Sequence, residues 1–402
     1  MELALKILNR INISKPQKKF LITLFTTILV VRGKCNFRNL SRYSDLCEHT
    51  YSRNFGKMFD FAHFNRQVIV ETFLAKDECI LAFDQSFIPK SGTQTFGRDR
   101  FWNGSVSRSE KGLEISSLAV VNVSTNQALT LSVQQTHSQD HANKNGSVDD
   151  SRIDQYLSHL KNVPTYLIKN ERYLVVDGYF AKEKFIQGVT QLNLHIVGKL
   201  RSDANMRYLY TGPKRIGRGR PKVYDGKVAW DDLSRFKYVG LDKNLTLYTA
   251  LLNHTKFKCD MRVVVLVKHR LNKPDQYTIL FSTDTQLDPF KIYHFYKARF
   301  QIEFLFRDAK QFTGLTDCQA TEQHKLHFHF NASLTALNLA RAELIHTRDT
   351  QQPLVCSMAS VKALYFNKHF LQRIFSILEF DPTSIKMHDE YIKLLHYGKI
   401  AA

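Results

Sequence analysis

The stretch from Cys79 to Leu200 constrains the fold more than any other part of the chain. CILAFDQSFI is a short apolar run interrupted by Asp84, and GLEISSLAVVNV and QALTLSVQQT follow with turn residues between them. Runs of that length and spacing predict three successive strands in a meander. Residues 149–160 then read as a helix, YLVVDG as a strand ending on Asp177, 181–192 as a helix, and LHIVGKL as a further strand. Three strands, helix, strand, helix, strand is an α/β order. It carries one acid inside its first strand and another at the end of its fourth. An unpaired carboxylate within an apolar run is costly, and Gly178 after Asp177 permits close approach of another backbone. Taken singly, either Asp also fits the start of a turn.

A second constraint is the stretch Ile292–Phe312, IYHFYKARFQIEFLFRDAKQF, which reads as one continuous helix. At about 100° per residue, Tyr296, Arg299, Glu303 and Lys310 share a narrow stripe. Phe295, Ala298, Ile302, Leu305, Phe306 and Ala309 gather on the adjoining face, which is therefore core. One carboxylate among two cations and a phenol suits a metal-dependent reaction on phosphates. It also suits a solvated face with an i,i+4 ion pair between Arg299 and Glu303. Should Asp84, Asp177 and Glu303 meet at one end of a sheet, they would repel one another unless divalent cations neutralised them, so Mg²⁺ or Mn²⁺ is the natural occupant.

Composition narrows the partners. The chain has 57 Lys and Arg against 37 Asp and Glu, a net charge of +20. That excess favours a polyanion, either nucleic acid or an anionic membrane surface. The longest apolar run, FLITLFTTILVV from Phe20 to Val31, is short of the ~20 residues needed to cross a bilayer and reads as a buried helix. No small-residue cleavage site follows an apolar N-terminal region, so a cytoplasmic, nucleoid-associated protein is expected. Six scattered cysteines without a C-x-x-C pair fit reduced thiols rather than disulfides or zinc. The histidines at 137 and 141, and at 324, 327 and 329, lack partners at ligand spacing and read as packing or surface residues.

The remaining segments read as follows. Residues 1–75 are mostly helical and rich in cations, a small DNA-binding domain or a helical cap, with a helix from Phe55 to Phe73 capped by Ser52 or Asn54. Residues 76–200 form the first part of the main domain. Residues 201–289 are a β-rich insertion, opening with the basic turn-rich loop PKRIGRGRPK. Residues 290–345 return to the core with two long helices, and 346–402 are a helical, basic C-terminal region. Lys90, Arg98, Arg100 and Arg108 follow the first strand, beside a polyanion or as surface charge.

Tyr296, Arg299, Glu303 and Lys310 match the signature Y-x2-R-x3-E-x6-K without departure. With Asp84 in AFDQSFIPKSG and Asp177 in VVDGYF, the chain resembles the DDE transposases of bacterial insertion sequences, specifically the insertion-sequence-four family, over roughly residues 50–345. The resemblance implies a ribonuclease-H-like catalytic core carrying a β-rich insertion, and metal-dependent cut-and-paste transposition. Hydrolytic nicking at the element ends would be followed by hairpin formation and strand transfer to target DNA. It further implies that Asp84, Asp177 and Glu303 are catalytic and bind Mg²⁺ or Mn²⁺, two ions in all. Tyr296, Arg299 and Lys310 would hold phosphates, and a homodimer would form on the DNA. Trp230 is the candidate for a base-holding aromatic, though ordinary packing is the favoured reading. GRGRPK, with Arg218, Arg220 and Lys222, resembles an AT-hook core but reads better as a loop gripping phosphate. The alternatives are another ribonuclease-H-like nuclease or resolvase, or an inactive transposase-derived DNA-binding protein.

Overall fold

The structure, a computed structural model, describes residues 1–137, 151–213, 220–270, 273–347, 357–379 and 385–399. Five helices open the chain: α1 (Glu2–Arg10), α2 (Lys15–Val30), α3 (Phe37–Arg42), α4 (Glu48–Phe55) and α5 (Phe61–Thr72). The helix expected over Phe55–Phe73 is two helices. α4 stops at Gly56, and α5 starts anew at Asp60, whose carboxylate accepts the His63 N–H. Asp60, not Ser52 or Asn54, is the cap, because only a residue outside the helix can offer its side chain to the unpaired first turn.

The sheet begins with β1 (Cys79–Pro89), β2 (Asp99–Asn103), β3 (Arg108–Asn122) and β4 (Gln127–Thr136). After α6 (Arg152–Asn162) come β5 (Tyr173–Val175), α7 (Glu183–Thr190) and β6 (His195–Leu200). β3 runs antiparallel to β1 and β4, whereas β1, β5 and β6 are parallel neighbours. Strand β2 was not foreseen, its DRFWN sequence being too polar to signal a strand.

The β-rich segment supplies β7 (Met206–Leu209), β8 (Tyr224–Lys227), β9 (Lys237–Asp242), β10 (Leu245–His254), β11 (Cys259–Arg270) and β12 (Lys273–Ser282). It continues the sheet, because β12 pairs with β6 to make a single path from β2 to β8. Ile279 to Ser282 lie opposite Leu200 to Val197, so the backbone groups of β6 are satisfied within the chain.

Five helices complete the described fold: α8 (Pro289–Ala298), α9 (Gln301–Phe312), α10 (Gln323–His346), α11 (Met358–Leu378) and α12 (Ile385–Leu395). Side chains alternate across a strand, so β1 feeds two cores. Leu81 and Phe83 join the N-terminal helices, α6 and α7, while Ile80, Ala82 and Ile88 join α8 and α9. α10 serves both cores, with Phe328, Ala332 and Leu339 on one side and Phe330, Leu334 and Leu337 on the other. A helix apolar on all sides is an internal one.

Its buried asparagines seal the edge of β4. Asn338 accepts the Thr130 N–H (2.9 Å) and donates to the Thr130 carbonyl (2.7 Å), and Asn331 donates to Val133 O (3.2 Å). Asn65 on α5 donates to Leu131 O (3.2 Å), and Arg341 reaches Ala128 O (3.2 Å). Side chains thus replace the neighbouring strand that an edge would otherwise seek.

Candidate active site

The register of β1 against β5 positions the two aspartates. Leu81 lies opposite Leu174 and Ala82 opposite Val175. Two residues further along each parallel strand come Asp84 and Asp177, so the same register sets them abreast, on strands spaced ~4.8 Å apart. Asp84 follows Ile80 and Ala82 on the face that α8 and α9 cover, which turns its carboxylate toward the helical stripe. Asp177 has just left β5. Its Oδ1 accepts the Tyr179 N–H (3.0 Å) and starts a single 3₁₀ turn over Gly178–Phe180.

The expected continuous helix is broken at the point where it meets the acids. α8 ends at Ala298 and α9 begins at Gln301. Between them the hydrogen bonds shorten to i→i+3, from Phe300 N to Lys297 O, Ile302 N to Arg299 O and Glu303 N to Phe300 O. Such 3₁₀ tightening often marks strain or function. Here it turns Arg299 inward, 9% exposed, and Phe300 outward, 48% exposed. The apolar face read from the sequence is buried as expected: Phe295, Ala298, Ile302, Leu305, Phe306 and Ala309 all lie in the core.

Arg299 ties the site together. Its Nη1 donates to Asp84 Oδ2 (3.2 Å) and its Nη2 to Glu303 Oε1 (2.8 Å). The guanidinium also lies 5.7 Å from the centre of the Tyr296 ring. The local pair between Arg299 and Glu303 therefore exists, but as part of a bridge from the helix to β1. Asp84 also accepts the Gln85 N–H (2.9 Å). Burial pushes its carboxyl up to about 7; Arg299 opposes that rise, and Asp177 and Glu303 add to it. Asp177 is likewise raised by burial, with Arg299 opposing. Burial lowers Lys310, and no acid offsets that loss.

Among the described residues, no three His, Cys, Asp or Glu side chains stand arranged to hold a metal ion; Arg299 lies between Asp84 and Glu303, bonded to both. The donors themselves fit a hard divalent cation. They are three carboxylates, of which the guanidinium of Arg299 is bonded to two, Asp84 and Glu303, while burial keeps Asp84 poorly ionised.

The site opens on two sides. A cleft of about 900 Å³ is lined by Asp177, Tyr179, Lys199, Trp230, Tyr296 and Arg299, among others. Trp230 joins the cleft wall while its indole N–H donates to Ala204 O (2.9 Å) and its ring packs near Phe236. A smaller cavity holds Lys310, so the four residues of the stripe do not face one common space. Arg220 and Lys222 line neither cavity, and Lys222 is engaged with Asp225 (2.5 Å). Arg218 and His141 lie outside the described residues. Lys90, noted as a possible polyanion contact, instead donates to the carbonyls of Cys318 and Ala320, and Arg98 holds Lys90 O (2.9 Å). The five described cysteines are free.

Residues 59–240 match the family model of the DDE superfamily endonucleases. Asp84 and Asp177 fall inside the matched stretch, and Glu303 beyond it. No curated protein matches the chain. The match supports a DDE-type nuclease or transposase, a class of enzyme that acts on DNA and generally uses divalent metals. Among the described residues, no helix is long and apolar enough to cross a membrane.

Sequence reasoning missed Gln85, Trp102, Arg152 and Tyr179, which line the cavities beside the acids. Tyr179 carries a signal in the VVDGYF motif, and Trp102 one as a large aromatic beside Phe101 in an otherwise polar hairpin.

Proposed function

We propose that the protein is a DNA transposase of the cut-and-paste kind, related to the insertion-sequence-four family, with a ribonuclease-H-like core. The observation that carries this reading is the bridge of Arg299 between Asp84 and Glu303, beside an Asp177 brought abreast of Asp84 by strand register. The order β4-β3-β1-β5-β6, with only β3 antiparallel to the central strands, supports the same core.

Asp84, Asp177 and Glu303 would hold Mg²⁺ or Mn²⁺, two ions in all. When bound, the metal would supply Lewis-acid activation of a water or 3′-hydroxyl and neutralise charge on the leaving oxygen. The chain's own residues do the rest. Arg299, released from the carboxylates, has a planar fork suited to two phosphate oxygens. Tyr296 closes the cleft wall beside it, and Lys310 offers a cation that no carboxylate neutralises. Trp230 faces the same cleft as Asp177, where it can meet a base. The activity would then be nicking at the element ends, hairpin formation and strand transfer, in a homodimer assembled on DNA.

The test is Glu303→Gln on linear DNA bearing the inverted repeats that bracket the gene. Cleavage with Mg²⁺ should be lost while a mobility shift persists. Cleavage at the normal rate overturns the assignment. Joining of a free 3′-hydroxyl to a target plasmid by the unaltered protein separates a transposase from a nuclease or resolvase. Lys310→Ala should weaken DNA binding and flatten its salt dependence by about one phosphate contact.

A further inference from the structure

The hairpin of β2 and β3 carries a charge arrangement that the fold does not use. Arg100 on β2 lies directly opposite Lys111 on β3, and like charges in that position destabilise a strand pair. Among the described residues no carboxylate is paired with either side chain. The neighbouring Glu110 is taken by Arg108 and Asn103. Trp102, which shares the Arg100 side of β2, is 59% accessible, so this face is left uncovered. Arg100, Arg108 and Lys111 line a groove of about 560 Å³ beside it. Two unneutralised cations held together at a cost in stability suit a polyanion that binds there.

The face leads to the acids. Side chains alternate along a strand, so Lys111 shares a side of β3 with Leu113 and Ile115, which join the core under α8 and α9. Asp84 lies on that same side of β1. It is opposite Ser117, six residues beyond Lys111 on β3, which at ~3.3 Å per residue places the cation pair roughly 20 Å away. That is less than one ~34 Å turn of a duplex, so a single straight DNA can touch both. The large cleft, with Lys199, lies on the other side of the acids, toward β6 and β12. Joining one DNA to another brings two molecules to one set of acids, and the sheet order offers a side for each. We propose that the cleft takes the element end and that the Arg100–Lys111 face of the hairpin takes the backbone of the second, target duplex. In the joining step the incoming 3′-oxygen forms a P–O bond to a target phosphate and the P–O bond to the target's own 3′-oxygen breaks. The proton lost by the incoming hydroxyl balances the one gained by the displaced oxygen. The inference rests on the DNA reading above and adds which surface meets the target.

The experiment separates cutting from joining. Wild-type protein and R100A/K111A are given, with Mg²⁺, either an uncut end bearing the inverted repeat or a pre-cut end with a free 3′-hydroxyl and a target plasmid. A thermal melt checks that the exposed substitutions leave the fold intact. Cutting should stay within about twofold, while joining falls roughly tenfold or more at 0.1 M salt and recovers when target is in excess. The salt dependence of target affinity should flatten by about two phosphate contacts. R100K, which keeps the charge, should join as wild type does. Equal loss of cutting and joining, unchanged joining, or a loss that excess target does not recover overturns the assignment and leaves the DNA reading standing. Wild-type protein that cuts but never joins also overturns it, leaving a nuclease. Wild-type protein that binds no DNA overturns both.

Discussion

Replacing Asp84 by Asn should stabilise the metal-free protein. Burial, with Asp177 and Glu303 nearby, lifts the Asp84 carboxyl from 3.8 to about 7 in the folded chain. Each tenfold change in proton affinity is worth about 1.4 kcal/mol, so ionising Asp84 costs the folded state about 4 kcal/mol at most. Asparagine keeps the shape, removes that penalty and gives up the attraction to Arg299. The expected net gain at pH 8 is therefore about 1–3 kcal/mol. The sign with pH follows from linkage. Below about pH 4 Asp84 is protonated in both states and the penalty is absent. As pH rises through the unfolded and then the folded value, the folded state holds a proton that the unfolded state has released, and stability falls. The advantage of D84N should thus be greatest at pH 8 and shrink steadily toward pH 4. Urea denaturation in EDTA at several pH values reads this directly. With Mg²⁺ at a hundred times its dissociation constant the advantage of D84N should largely vanish or reverse, since wild-type protein gains about 2.7 kcal/mol and D84N gains much less. If D84N is no more stable than wild type at pH 8 in EDTA, the site is not the charge-strained cluster described above.

Two further substitutions probe the support of the site. Arg341 on α10 donates to Asp308 on α9 at 2.7 Å, both side chains almost fully buried. R341M should cost about 1–3 kcal/mol by leaving Asp308 Oδ2 without a donor while Arg307 keeps Oδ1, with D308N/R341M recovering part of it in the same urea assay. Gly314, which ends the turn after α9, has φ +71, and a Cβ there would overlap Cys35. G314A should lower stability by roughly 1–2 kcal/mol through the left-handed backbone and further through the overlap with Cys35, and a melting temperature equal to wild type would refute the reading.

Much of this molecule follows from local pattern. Alternating and continuous apolar runs mark β1, β3, β4, β5 and β6 within a few residues, because burial on one or both faces of a strand leaves a period that needs no partner to be read. The burial of Phe295, Ile302 and Leu305 follows likewise from helical spacing. Three features do not. The break at Arg299 and Phe300 leaves no mark in a local sequence free of Gly and Pro, and the Asp84 that Arg299 meets there lies on a distant strand. The asparagines of α10 look like ordinary helix residues until β4 lies beside them with its edge unpaired. The proximity of Asp84 and Asp177, with β2, β3, β4 and α6 between them in the chain, depends on the pairing of β1 with β5. Residue chemistry names the acids, the cations and the faces they occupy. Only strand register and helix packing decide which of them come within a hydrogen bond of one another, because those contacts are made across the chain and carry no local period.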